Sequence, residues 1–257
     1  MKTRVITAIA ALIVFLPLLY VGGDYFKYTT FALAVMAMYE IVRMTFKETN
    51  IVVLGLSSLA GALLYLREEI LGLSQYGIVY LLVIGMLGVV VVTGHRIKLV
   101  EIGSIIFVTV YIFVGFYSLY MLRDLSLAHI GYLLLTIWFT DSFAYIGGMR
   151  FGKNKLSPKI SPNKSIEGSV IGSLSSIVIA LVFHFTTSIF TNLAVAIGIT
   201  LVVSVIGQFG DLIESAYKRE YGVKDSSNLL PGHGGIFDRF DSVILSAPCL
   251  ILLLNLL

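Results

Sequence analysis

Apolar residues in this chain gather into runs of about 17–22, separated by brief polar segments, the length a helix needs to cross a bilayer. Nine such runs predict helical spans at 5–21, 27–44, 51–66, 76–93, 102–122, 128–148, 169–189, 193–214 and 240–256. The third is short enough to be re-entrant. Helix is the expected conformation because backbone groups in lipid must find their partners within the segment. The pattern therefore predicts an all-α, polytopic membrane protein with about nine transmembrane helices. Lys2 and Arg4 ahead of Val5–Val21 have the look of a signal peptide, but no small-x-small cleavage site follows and eight further runs do. A retained first helix is expected.

Composition agrees. The 257 residues are 58% hydrophobic and only 13% charged, against roughly 45–50% and about 25% for a soluble domain. A water-soluble fold would be left with a greasy surface. The one cysteine, Cys249, lies in the last run and cannot form an internal disulfide. No internal repeat, low-complexity tract or soluble domain stands out.

Positive charge sets the expected orientation. Of the 18 Lys and Arg residues, fifteen fall on the side of the N-terminus: Lys2, Arg4, Arg43, Lys47, Arg96, Lys98, Arg150, Lys153, Lys155, Lys159, Lys164, Lys218, Arg219, Lys224 and Arg239. Lys27, Arg67 and Arg123 fall on the other. The N-terminus is expected in the cytoplasm and, after nine spans, the C-terminus outside. Nine cations occupy two cytoplasmic segments, 149–168 and 215–239. Attraction to anionic lipid alone would explain a basic loop, but here the cations alternate with Gly, Pro, Ser, Asp and His. The first five runs, 1–125, carry little that looks chemical. The catalytic region is expected over 126–257.

Three clusters stand out. Near the end of the sixth run, Asp141 and Tyr145 share a helix face. A carboxylate there either pairs with a neighbouring base or faces a functional cavity. Gly147 to Lys153 nearly spells a P-loop, but Asn154 replaces Ser or Thr and no strand precedes it. The second cluster, Ser157 to Gly168, holds Pro158 and Pro162, which oppose helix. It reads as a basic connector or as a phosphate cradle leading to a helix N-terminus. The third places Asp211, Glu214, Ser215 and Lys218 on one stripe of the eighth run. Lys224-Asp225, Pro231, His233-Gly234-Gly235, Asp238-Arg239 and Asp241 follow, with Asp238 and Asp241 sharing a face. A few carboxylates with positions left for phosphates are how Mg²⁺ is usually held. Zinc is unsuited, since His233 has no second His or Cys at ligand spacing.

Over 215–241 the chain resembles the phosphatidate cytidylyltransferases: Ser215, Lys218-Arg219, Lys224-Asp225, His233-Gly234-Gly235, Asp238-Arg239 and Asp241 match the family's C-terminal pattern. Tyr217 departs conservatively from an aliphatic residue or Phe. The Ser157–Gly168 loop is also similar, with Ser165 where Thr is commoner. The likeness is sharp over 138–241 and topological before that.

The resemblance implies CTP and phosphatidate as substrates, CDP-diacylglycerol and pyrophosphate as products, and no nucleic acid partner. It also implies Mg²⁺, with room for a monovalent cation such as K⁺, and a homodimer in the bacterial type of inner membrane. Asp211 and Asp238 are then the expected metal ligands, with Asp141 beside them. Lys218, Arg219, Arg239 and His233 are expected in catalysis. Ser157, Lys159, Asn163, Lys164, Lys224, Asp225, Gly234 and Gly235 are expected to hold substrate. Two rivals fit the same residues: another CTP-dependent enzyme acting on an isoprenoid-type lipid phosphate or lipid alcohol, and an ion-coupled transporter. The latter would show inverted repeats and midplane breaks.

Overall fold

A computed structural model describes residues 2–66, 74–94 and 96–256. Arg67, one of the cations counted above, lies outside the described residues. The class is all-α with one small hairpin. In chain order the elements are α1 (Lys2–Val21), α2 (Gly23–Phe46), α3 (Ile51–Leu66), α4 (Gln75–Val92), α5 (Leu99–Leu125) and α6 (Leu127–Phe151). Strands β1 (Lys155–Ser157) and β2 (Ser161–Ser165) follow, then α7 (Ile166–Ser175), α8 (Ile177–Thr186), α9 (Leu193–Glu220) and α10 (Phe237–Asn255). Among the described residues, five helical stretches are long and apolar enough to cross a membrane: Gly23–Phe46, Leu99–Leu125, Leu127–Phe151, Ile166–Thr186 and Leu193–Glu220.

The chain forms two compact units, one of residues 1–120 with 225–239, the other of 121–224 with 240–257. In the first, Phe26, Ala34, Ala37, Met38 and Ile41 of α2 are fully buried, so this helix serves as a core element. Thr109 of α5 donates a hydrogen bond to Ser57 of α3 at 3.0 Å, the kind of polar link that joins helices where hydrophobic driving force is weak.

In the second unit, α6 and α7 meet through small residues. A Cβ on Gly168 would lie 2.6 Å from the Ala144 carbonyl oxygen, and one on Gly172 would lie 2.6 Å from that of Thr140. Glycine is what lets these backbones touch. Buried hydroxyls continue the seam: Thr140 donates to Ser204 (2.9 Å), Ser204 to Ser173 (3.0 Å), and Gln208 Nε2 to Ser173 (2.9 Å). Together they fasten α9 to α6 and α7.

Two features differ from the pattern reading. The run 169–189 forms two helices, interrupted at Ser176, whose hydroxyl donates to the Ser173 carbonyl; such back-bonding competes with helix continuation. The proline-bearing loop is an antiparallel hairpin pairing Lys155 with Ser165 and Ser157 with Ser161. Proline is tolerated there because the sheet has only edge strands.

Candidate active site

The hairpin delivers Lys164 to the second unit's acidic residues. Ser165 caps α7 by accepting from the Gly168 N–H at 3.1 Å. Glu167 in the first turn accepts from the N–H groups of Lys153 and Asn154, both at 3.1 Å, and from Asn154 Nδ2 at 2.7 Å. These bonds tie both ends of the hairpin to α7. Lys164, next to the cap, is half-buried and its Nζ donates to Asp211 Oδ2. Ser215, one turn along α9, donates to Asp211 Oδ1 at 3.3 Å.

Asp211 is not alone. Its carboxylate, that of Glu214 and that of Asp241 each offer an oxygen, and these lie within 4.8 Å of one another. Glu214 shares the stripe of Asp211 on α9, and its Oε1 forms a nearly buried ion pair with Lys218 Nζ at 2.7 Å. Asp241 arrives from α10, which closes on α9 at Gly210; a Cβ there would meet the Asp241 carbonyl oxygen at 2.6 Å. Asp141 adds its charge: Lys164 and Asp211 both act on it electrostatically, and it acts in turn on Asp241. Asp241 Oδ1 also accepts from the Ser242 N–H at 2.6 Å. Clustered hard oxygen ligands of this kind fit a divalent cation, and Asp211, Glu214 and Asp241 are the residues that would hold it. Glu214 and Asp241 were visible in the sequence as polar stripe and final motif aspartate, but were not assigned there as ligands.

Asp238 belongs to the first unit, where its Oδ2 accepts from Ser226 N–H (2.8 Å), Ser226 Oγ (2.7 Å) and Gly235 N–H (2.7 Å). Gly234 takes a left-handed φ of 81°, as the turn before Asp238 requires. Gly235 has no space for a side chain, because a Cβ would collide with Ser226 Oγ and the Glu40 carboxylate. His233 donates its N–H to the Leu230 carbonyl at 2.8 Å, while its Nδ1 is buried with no hydrogen-bond partner among the described residues. Arg219 turns to the Val223 carbonyl at 2.9 Å, closing the end of α9. Lys159, Asn163, Lys224, Asp225 and Arg239 are exposed, and Ser157 is half-buried.

Comparison with known proteins gives this geometry a context. The cytidylyltransferase family model matches residues 2–257. The chain belongs to the cytidylyltransferase family. Its relatives include phosphatidate cytidylyltransferases of Staphylococcus haemolyticus, at 37% identity, and of Staphylococcus epidermidis and Staphylococcus aureus, each at 38%. Each alignment covers 99% of both chains. The cytidylyltransferase likeness thus extends through the first five helices, well beyond the motifs of the C-terminal half.

Proposed function

We propose that the chain transfers the cytidylyl group of CTP to phosphatidate, giving CDP-diacylglycerol and pyrophosphate. The observation that carries the reading is the convergence of Asp211, Glu214 and Asp241, with Lys164 against Asp211, in a chain of this family. In the reaction a phosphate oxygen of the lipid attacks the α-phosphorus of CTP, and the bond to the β-phosphate oxygen breaks. The attacking phosphate is already anionic, so no strong general base is required. The obstacle is repulsion between two polyanions.

Asp211, Glu214 and Asp241 would hold Mg²⁺, with Asp141 supplying further negative charge nearby. When bound, the ion orients phosphates and offsets charge that builds during transfer. Asp238 is the other ligand that the resemblance names; in this reading it orders the Ser226–Gly235 turn. A magnesium titration of Asp238→Asn beside Asp241→Asn separates ligand from anchor. Lys159 and Lys164 clamp substrate phosphates with Ser157 and Asn163. Lys218, Arg219 and Arg239 neutralise transferring and leaving oxygens as preorganised charge. Lys224, Asp225, Gly234 and Gly235 would bind substrate, His233 would act in catalysis, and a monovalent cation such as K⁺ would be the second cation.

The chain would cross the membrane nine times, with α7 and α8 forming one broken span. Its N-terminus and both basic segments face the cytoplasm, and its C-terminus lies outside. A C-terminal reporter active only outside the membrane should give signal; signal only from a cytoplasmic reporter would reverse the orientation. The functional unit is a homodimer, to be read by native mass. The activity is tested with purified protein, labelled CTP, phosphatidate and Mg²⁺: labelled liponucleotide and equimolar pyrophosphate are expected. Release of CDP instead would indicate a lipid-alcohol kinase, and no turnover of either kind would end the proposal.

A further inference from the structure

The first five runs looked chemically silent, yet α2 carries a carboxylate with no exposed surface. Glu40 is 0% exposed. A charge so placed is costly unless it is fully hydrogen-bonded. Four donors meet it. Ser227 Oγ (2.8 Å) and the Ile236 N–H (2.9 Å) reach Oε1, while Ser226 Oγ (2.8 Å) and the Phe237 N–H (3.0 Å) reach Oε2. All four lie 186 to 197 residues away in the chain. They flank both ends of the segment that contains His233, Gly234 and Gly235.

We infer that Glu40 is a positioning residue: it closes 226–237 into one turn and thereby sets the backbone around Gly235 and the carboxylate of Asp238. Three features support this over simple helix packing. Each Glu40 oxygen takes one serine hydroxyl and one backbone N–H, so the carboxylate spans the two ends of the turn symmetrically. The single Ser226 hydroxyl proton is shared between Glu40 Oε2 and Asp238 Oδ2, and the Gly235 N–H reaches Asp238 from the other end, so a shift at Glu40 is passed to Asp238. Finally, the Glu40 carboxylate and the Ser226 hydroxyl that it holds jointly fill the space a Cβ at Gly235 would need.

The chemistry makes a sharp distinction between carboxylate and amide. In Glu40→Gln, whichever way the amide turns, its NH₂ faces one backbone N–H, either Ile236 or Phe237. The serine hydroxyls can rotate to accept; a peptide N–H cannot. An isosteric change that leaves helix volume intact should therefore open the turn.

The functional arm rests on the proposed cytidylyl transfer; the structural arm does not. In the full-length, detergent-purified protein, hydrogen exchange at 226–237 should accelerate in Glu40→Gln by about tenfold or more, with exchange in α6 and α9 unchanged. The KM for CTP should rise by about tenfold with a smaller change in kcat, as expected for a displaced substrate-binding turn. Ser227→Ala, which removes a single donor, should move both readouts the same way by a few-fold and remains readable if Glu40→Gln does not fold. Wild-type exchange and KM in both variants would overturn the inference. An inactive wild-type protein whose turn still opens in Glu40→Gln would instead overturn the proposed reaction and leave the positioning role standing.

Discussion

Two groups of acidic residues serve this chain in opposite ways. Glu40 and Asp238 in the first unit are met by four backbone N–H groups and two serine hydroxyls, so their charge is spread into a turn. In the second, Asp211 pairs with Lys164 and Glu214 with Lys218, while Asp241 accepts from the Ser242 N–H, and their oxygens cluster together. Carboxylates met mainly by backbone N–H groups and hydroxyls hold structure; carboxylates whose oxygens cluster within 4.8 Å of one another could hold a cation. The same side-chain chemistry thus builds an anchor in one place and a candidate cation site in the other.

Breaking the charged group should cost most. Asp211→Asn is expected to lose at least about a hundredfold in kcat/KM while remaining folded; near-normal turnover would remove it from the site. Asp241→Asn should lose about tenfold or more and require more Mg²⁺ for half-maximal activity. Asp238→Asn should mainly raise the KM for CTP, with the Mg²⁺ requirement little changed. The reverse pattern would exchange the roles of the two aspartates. Lys164→Met should raise a substrate KM by several-fold, read in steady-state kinetics, if the cation paired with Asp211 also meets substrate phosphate as proposed. The smallest effect on turnover is expected from Gly172→Ala. That change crowds the Thr140 carbonyl and should cost about 1–3 kcal/mol of stability, seen as a lower unfolding temperature in detergent.

What could be read in the sequence follows from how local each cause is. Long apolar runs announce helices because lipid allows few alternatives, and 51–66 matches α3 end to end. The Asp211–Lys218 stripe was legible because helical spacing alone puts those residues on one face. Choosing between Asp238 and Asp241 was harder. They share a face, but Asp238 sits in the first turn of α10, where its carboxylate folds back onto Ser226 and Gly235, whereas Asp241 lies a turn further in. Glu40 was overlooked for a plainer reason: its partners come from the far end of the chain, and nothing beside it in α2 hints at them. The sole local clue was a carboxylate inside an apolar run. The hairpin was hidden by its two prolines, which argue against helix but do not specify a strand pair.

The central claim is that the second unit's carboxylates gather a divalent cation. Electron paramagnetic resonance titration of purified protein with Mn²⁺ addresses it without relying on turnover. Saturable binding is predicted for the wild type and for Glu40→Gln, with binding weakened by at least about tenfold in Asp211→Asn, Glu214→Gln and Asp241→Asn. Undiminished Mn²⁺ binding in all three of those variants would contradict the account.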